Sequence, residues 1–185
     1  MPGKLRCSLL CEDLEQERLF RPLLERLLRR RIRVEPRKPH GGFTFVLARL
    51  KETARYVRRR PQEAVGLLVV VDGDRVGFQG RLAEIRNALR EAGIDDQEPD
   101  RIAICIPTRN IETWALWLCG VSDLEEKTDY KLRYQQEFKP GLGRNDLVEA
   151  WLTTSPERRE AEAKRLPALA HGRAEIERLR SRARD

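Results

Sequence analysis

Residues 64–72, Ala-Val-Gly-Leu-Leu-Val-Val-Val-Asp, constrain the fold more than any other stretch of this chain. The run is far shorter than the roughly 20 apolar residues that a membrane-crossing helix needs. It is rich in β-branched residues and does not alternate with polar ones, so both of its faces are buried. A strand buried on both faces belongs inside a parallel sheet covered by helices. Residues 101–107 (RIAICIP) repeat the character, and residues 4–11 (KLRCSLLC) and 32–35 add two further strands.

Helical spacing fills the gaps between them. Leu19, Leu23, Leu24, Leu27 and Leu28 recur at helical intervals within residues 15–31. Further helices are predicted over 44–59, closed by Pro61, over 79–92, closed by Gly93, and over 111–120, with Asn110 as the expected cap of the last. This alternation predicts an α/β fold, a three-layer sandwich with a mainly parallel four-stranded sheet. After residue 120 the strand signal stops. Residues 122–139 and 144–182 are polar and read as helices, one of them started by Ser155-Pro156, and Leu169, Ile176 and Leu179 supply a buried stripe. The expected organisation is an α/β domain over 1–120 with a helical extension, 121–185, packed on it.

Ligands of a parallel α/β sheet bind beyond the carboxyl ends of its strands. Three strand ends here deliver acids: Glu12 and Asp13 after the first, Asp72 and Asp74 after the central one, and Glu112 after a short turn beyond 101–107. Each alone has a plain explanation as a turn or helix-start residue. Together they would repel one another unless a cation joined them. Hard carboxylate oxygens suit Mg2+ or Mn2+, so Glu12, Asp72 and Asp74 are the expected metal ligands. Arg109, on the same edge, is a candidate phosphate clamp or else a salt-bridge partner for the acids, and Lys131 is a weaker phosphate candidate. His40, in the loop Pro39-His40-Gly41-Gly42, is a minor candidate base. Tyr56, Tyr130 and Tyr134 are expected away from the strand ends, and Trp114, Trp117 and Trp151 to pack in the core.

Charge points to a polyanionic partner. Residues 1–60 hold 17 Lys and Arg against 7 Asp and Glu, whereas residues 61–185 hold 20 against 23. Arginine clusters such as Arg29-Arg30-Arg31-Ile32-Arg33 and Arg58-Arg59-Arg60 suit phosphate backbones, although arginine-rich helices also accompany proteins of hot or GC-rich organisms. Cys7, Cys11, Cys105 and Cys119 form no CxxC pair, which excludes the common zinc patterns and suggests reduced thiols used as small core residues. No signal peptide is expected, and the expected location is cytoplasmic.

Three segments carry a family resemblance. CEDLEQERLF (11–20) resembles the opening of Toprim domains, whose first strand ends in a glutamate; LLVVVDGD (67–74) resembles their DxD strand. RIAICIPTRNIETWALWL (101–118) is similar to a segment of stand-alone Toprim and OLD-type proteins of phage-defence and mobile-element operons. The chain departs from the pattern at Asp13, where glycine is usual, and at Gln16, where a second acid is common. The resemblance, over about residues 4–120, implies a Rossmann-type Toprim fold with Glu12, Asp72, Asp74 and Glu112 as catalytic residues. It implies a Mg2+- or Mn2+-dependent nuclease acting on DNA more readily than RNA, in phage defence or DNA repair beside an SMC-like or AAA ATPase. A non-catalytic nucleic-acid-binding or adaptor subunit of such a complex is the alternative, as is an enzyme that processes RNA. Whether the chain forms a homodimer is left open.

Overall fold

The structure, a computed structural model, describes residues 6–29, 32–35, 41–60, 64–94, 101–137 and 144–182. In chain order its elements are β1 (Arg6–Cys11), α1 (Leu14–Leu28), β2 (Ile32–Glu35), α2 (Gly42–Arg59), β3 (Ala64–Val70), α3 (Gly77–Glu91), β4 (Ile102–Cys105), α4 (Ile111–Leu118), α5 (Lys131–Glu137), α6 (Arg144–Thr153), α7 (Pro156–Arg165) and α8 (Pro167–Arg182). The four strands form one parallel sheet in the order β2-β1-β3-β4. The predicted α/β sandwich is therefore present.

Alternation along β3 sorts the core into two layers. Leu67, Val69 and Val71 face α2 and α3, meeting Val46, Leu50, Ile85 and Leu89. Leu68 and Val70 face the other way, toward Phe20, Leu23 and Leu24 of α1 and Trp114 of α4. The extension joins this second layer, through Trp151 of α6 and Leu169, Ile176 and Leu179 of α8. The tryptophans pack as expected, with Phe20 edge-on to both Trp114 and Trp151 at centroid distances of 6.2 and 6.1 Å. Cys7, Cys11 and Cys105 are buried in the same layer and are free, as is the partly buried Cys119. Because α1 crosses on one face and α2 and α3 on the other, the winding reverses between β1 and β3. Such a reversal opens a crevice at the carboxyl ends of those two strands.

Helix α8 also closes the β4 edge of the sheet. Its Glu175 accepts the Ile104 N–H at 3.0 Å, and its Arg178 donates to the Ile102 carbonyl at 2.7 Å. Side chains thus take the place of a fifth strand and satisfy ladder groups that would otherwise invite pairing. Gly172 lets the helix lie close, since a Cβ there would fall 2.7 Å from the Trp114 ring. Ser155 caps α7 as the sequence predicts, accepting the Arg158 N–H. Helix α1 ends earlier than predicted, at Leu28, where Arg29 turns left-handed. The segment predicted helical over 122–139 is extended and turning as far as residue 130, and among its described residues only Lys131–Glu137 is helical. Pro61, His40 and Pro140 lie outside the described residues. Among the described residues no helix is long and apolar enough to cross a membrane.

Candidate functional site

The acids gather where the winding reverses. Cys11 of β1 pairs with Val70 of β3, and Val70 pairs in turn with Cys105 of β4, so Glu12 and Asp72 leave neighbouring strands within one residue of the same level. Asp13 then starts α1 as its N-cap, accepting the Gln16 N–H at 2.9 Å. That first turn aims Gln16 back into the crevice. Its Oε1 accepts the Glu12 N–H at 2.9 Å, and its Nε2 donates to Asp72 Oδ1 at 3.0 Å. The Asp72 N–H donates to Glu12 Oε1 at 3.2 Å, so Glu12, Gln16 and Asp72 form one closed network.

Beyond Asp72 the chain turns tightly under the loop that follows β4. The Gly73 N–H donates to the Pro107 carbonyl at 2.8 Å, the Asp74 N–H to the Arg109 carbonyl at 3.2 Å, and the Gly77 N–H back to the Gly73 carbonyl at 2.9 Å. Asp74 takes a left-handed conformation (φ 49°), which aspartate tolerates better than most residues. Gly73 is there for space: a Cβ would fall 2.3 Å from the Thr108 carbonyl oxygen, a backbone atom that cannot swing away. Gly73→Ala is expected to cost about 1–3 kcal/mol by overpacking and to displace Asp72 relative to the β4 loop. Thermal melting and Mn2+ titration check both effects; an unchanged melt would show that the loop yields freely.

Arg81 of α3 is the site's internal cation. It is buried, with its Nε on the Asp72 carbonyl at 3.0 Å, Nη2 on Asp74 Oδ2 at 3.4 Å and Nη1 on Glu84 at 2.8 Å. Its guanidinium lies 3.6 Å over the Phe43 ring at the start of α2. Neither Gln16 nor Arg81 is among the functional residues predicted from sequence. The available signal was a polar residue on a buried helical stripe, Gln16 ahead of Leu19 and Leu23, and Arg81 beside Leu82 and Ile85.

Electrostatics mark these acids as a strained group. Burial, then the neighbouring Asp74, pushes Glu12 up to about 7, against an opposing pull from Arg81. Burial, then Glu12 and Asp13, holds Asp72 well above the usual carboxylate range, although the Gln16 hydrogen bond pulls it down. Glu112 is also raised, by burial first, and its Oε2 is buried without a hydrogen-bond partner. Asp72 senses Glu112 as a further negative charge, so the third strand end does bear on the same crevice.

The basic candidates lie further along this edge. Arg109 pairs with Asp129 at 3.8 Å, so its salt bridge is with the loop before α5 and not with the strand-end acids. The same Asp129 accepts from the Asn110 side chain at 2.8 Å; Asn110 stands at the N-cap of α4 as the sequence predicts, but its side chain makes no capping hydrogen bond to the helix backbone. Lys131 is exposed; its backbone N–H is the first cause that holds Asp129 low, and its charge opposes the rise of Glu112. Burial, then the charge of Glu15 and more weakly that of Glu112, raises the Tyr134 hydroxyl, so it lies nearer the site than predicted. Tyr56 and Tyr130 lie apart from the acids, Tyr130 taking the Glu125 N–H on its hydroxyl.

The donor chemistry suits a hard divalent cation, for three raised carboxylates face one crevice and Glu112 Oε2 is a buried acceptor lacking a donor. Among the described residues, however, no three His, Cys, Asp or Glu side chains are arranged as a ready metal-holding group. Asp74 is instead drawn to Arg81, and Asp72 to Gln16. No family model matches this chain, and no curated protein or solved structure does either.

Proposed function

We propose that the chain is a Toprim-like phosphodiester hydrolase that works with Mg2+ or Mn2+, on DNA more readily than on RNA. The observation that carries this is the pairing of Glu12 and Asp72 at the β1–β3 reversal, both with raised proton affinity from burial and from neighbouring acids. Evolution of an acidic crevice that repels itself makes sense where a cation relieves it. Glu12, Asp72 and Asp74 would hold the metal, which when bound lowers the pKa of a coordinated water and stabilises charge on phosphate oxygens. Glu112 would accept a proton or orient water from the neighbouring strand end. Gln16 holds Asp72 in place, and Arg109 meets the phosphate.

The second reading is a binding or adaptor subunit for an SMC-like or AAA ATPase, favoured by one observation: Asp74 already pairs with Arg81 and Asp72 with Gln16. Calorimetry with Mn2+ and Mg2+ separates the two. The wild type is expected to bind Mn2+ and cleave labelled oligonucleotides, and Asp72→Ala/Asp74→Ala to do neither. Absence of heat from the wild type, even with an oligonucleotide present, would sink the hydrolase and leave the adaptor.

A further inference from the structure

The arginine clusters are not at the acidic crevice. Helix α2 starts beside it, with Phe43 against Arg81, and runs 18 residues to Arg59. At 1.5 Å per residue its far end lies about 24 Å from Phe43 along the helix axis. There Arg55 and Arg58 donate to the carbonyls of Ala92 and Gly93, just past the end of α3. Helix α3 also begins at the acidic turn and ends at this opposite edge. Arg33 arrives from β2, paired with Ser8 near the amino end of β1, and Arg29 from the C-cap of α1. The sheet is thus electrostatically polar, with acids beyond the carboxyl ends of its strands and arginines beyond the amino ends.

Tyr56 organises this second pole. Its ring has the Arg33 guanidinium at 5.8 Å and the Arg60 guanidinium at 5.5 Å from the centroid. Cation–π contact to one ring holds the two guanidinium groups near each other. Arg29, Arg33, Arg58, Arg59 and Arg60 are all exposed. Residues 49–60 contain six Lys and Arg and a single acid, Glu52, which pairs with Arg49, while Lys51 pairs with Glu91 of α3. A rigid ring that spaces two guanidinium planes suits a chain of phosphates, each guanidinium being able to fork onto phosphate oxygens.

We infer that the amino-end edge built from Arg33, Tyr56, Arg58, Arg59 and Arg60 is a sequence-independent binding surface for a nucleic-acid backbone, separate from the acidic crevice. Backbone binding here is a matter of counterion release and not of base readout. The inference does not rest on the hydrolase reading, because the two poles share no residue.

The test is fluorescence anisotropy with a labelled duplex and a labelled single strand, across a NaCl series and without divalent metal. The triple variant Arg33→Gln/Arg59→Gln/Arg60→Gln is compared with a control, Lys127→Gln/Arg159→Gln/Lys164→Gln, that removes the same net charge from exposed positions elsewhere. The edge variant is expected to bind about tenfold or more weaker at low salt, with the log–log salt slope smaller by about 2–3. The control is expected to stay near the wild type, and circular dichroism to show both folded. Equal losses in both variants, or an unchanged slope in the edge variant, would overturn the assignment. So would competition by polyglutamate as effective as by DNA, which would make the edge a docking surface for acidic protein. The titration contains no divalent metal and uses no variant of the acidic crevice, so a failed hydrolase reading would leave this result standing.

Discussion

Glu162→Ala is expected to lower stability by about 3–5 kcal/mol, the usual cost of leaving one partner of a buried ion pair alone. For a chain of this length that is roughly 6–20 °C in Tm. Glu162 has 1 % of its surface exposed, and both of its oxygens are engaged. Oε1 accepts from Arg173 Nε at 2.6 Å, and Oε2 from the Trp117 indole N–H at 3.2 Å. Arg173, itself buried, spends its other donors on the Trp151 carbonyl at 2.7 Å and Thr154 Oγ1 at 2.8 Å, and its guanidinium lies 4.3 Å over the Trp151 ring. The pair therefore ties α7 and α8 to α4 and α6, and through Trp117 to the core layer behind the sheet. Removing the carboxylate strands a buried guanidinium and an indole donor at once. Replacing both charges, as in Glu162→Leu/Arg173→Met, is expected to recover most of the loss, since the pair's attraction largely offsets its own desolvation. Chemical denaturation of the wild type, Glu162→Leu, Arg173→Met and the double variant gives the coupling energy directly. A single-variant cost under about 1 kcal/mol would mean that water reaches the pair, and would remove its role as the lock on the extension.

What the sequence made legible follows from the range of the forces involved. Continuous apolar runs placed β3 and β4, and helical stripes placed α1 to α3 within a few residues, because burial of each segment depends on its own composition. The acids at strand ends followed from those placements. Strand order did not, for it depends on which faces the crossovers take, and it is the adjacency of β1 and β3 that brings Glu12 beside Asp72. Residues 122–130 misled for a different reason. Their polar residues suggested a solvated helix, yet Glu126 accepts from Thr108 Oγ1 and from the Ala168 N–H, and Asp129 from Asn110, while Leu124 and Tyr130 turn inward. Distant hydrogen bonds thus overrode local propensity. Gln16, Arg81 and Arg173 show the same blind spot in a usable form. Each is a polar residue on a buried stripe, and each proves to hold an internal partner, which is what burial of a polar group requires.

The acidic crevice is expected to make the metal-free protein less stable as pH rises, the reverse of ordinary acid denaturation. Glu12 holds its proton to about 7 in the folded chain, against 4.5 for an unperturbed glutamate, and Asp72 is displaced in the same direction. Between those values the folded state binds protons that the unfolded chain has released, so stability is greatest below the unfolded pKa and falls as pH climbs through the folded one. Allowing for the water that reaches Glu12, a Tm decline of about 3–6 °C is expected between pH 5 and 8. Asp72→Asn keeps an oxygen to accept from Gln16 and removes one of the two titrations. It should therefore melt above the wild type at pH 8 with a shallower slope. On the proposed hydrolase reading, added Mn2+ should raise the wild-type Tm at pH 8 and leave the variant unmoved, and cleavage should drop by roughly 10²–10³-fold or more, the scale of losing one charge-stabilising group. A variant that gains stability as it loses metal and chemistry is the signature of acids kept for function against the interest of the fold. A flat wild-type pH profile, or an Asp72→Asn protein that melts lower than its parent, would show that the crevice is relaxed, and the argument from repulsion to cation would fail with it.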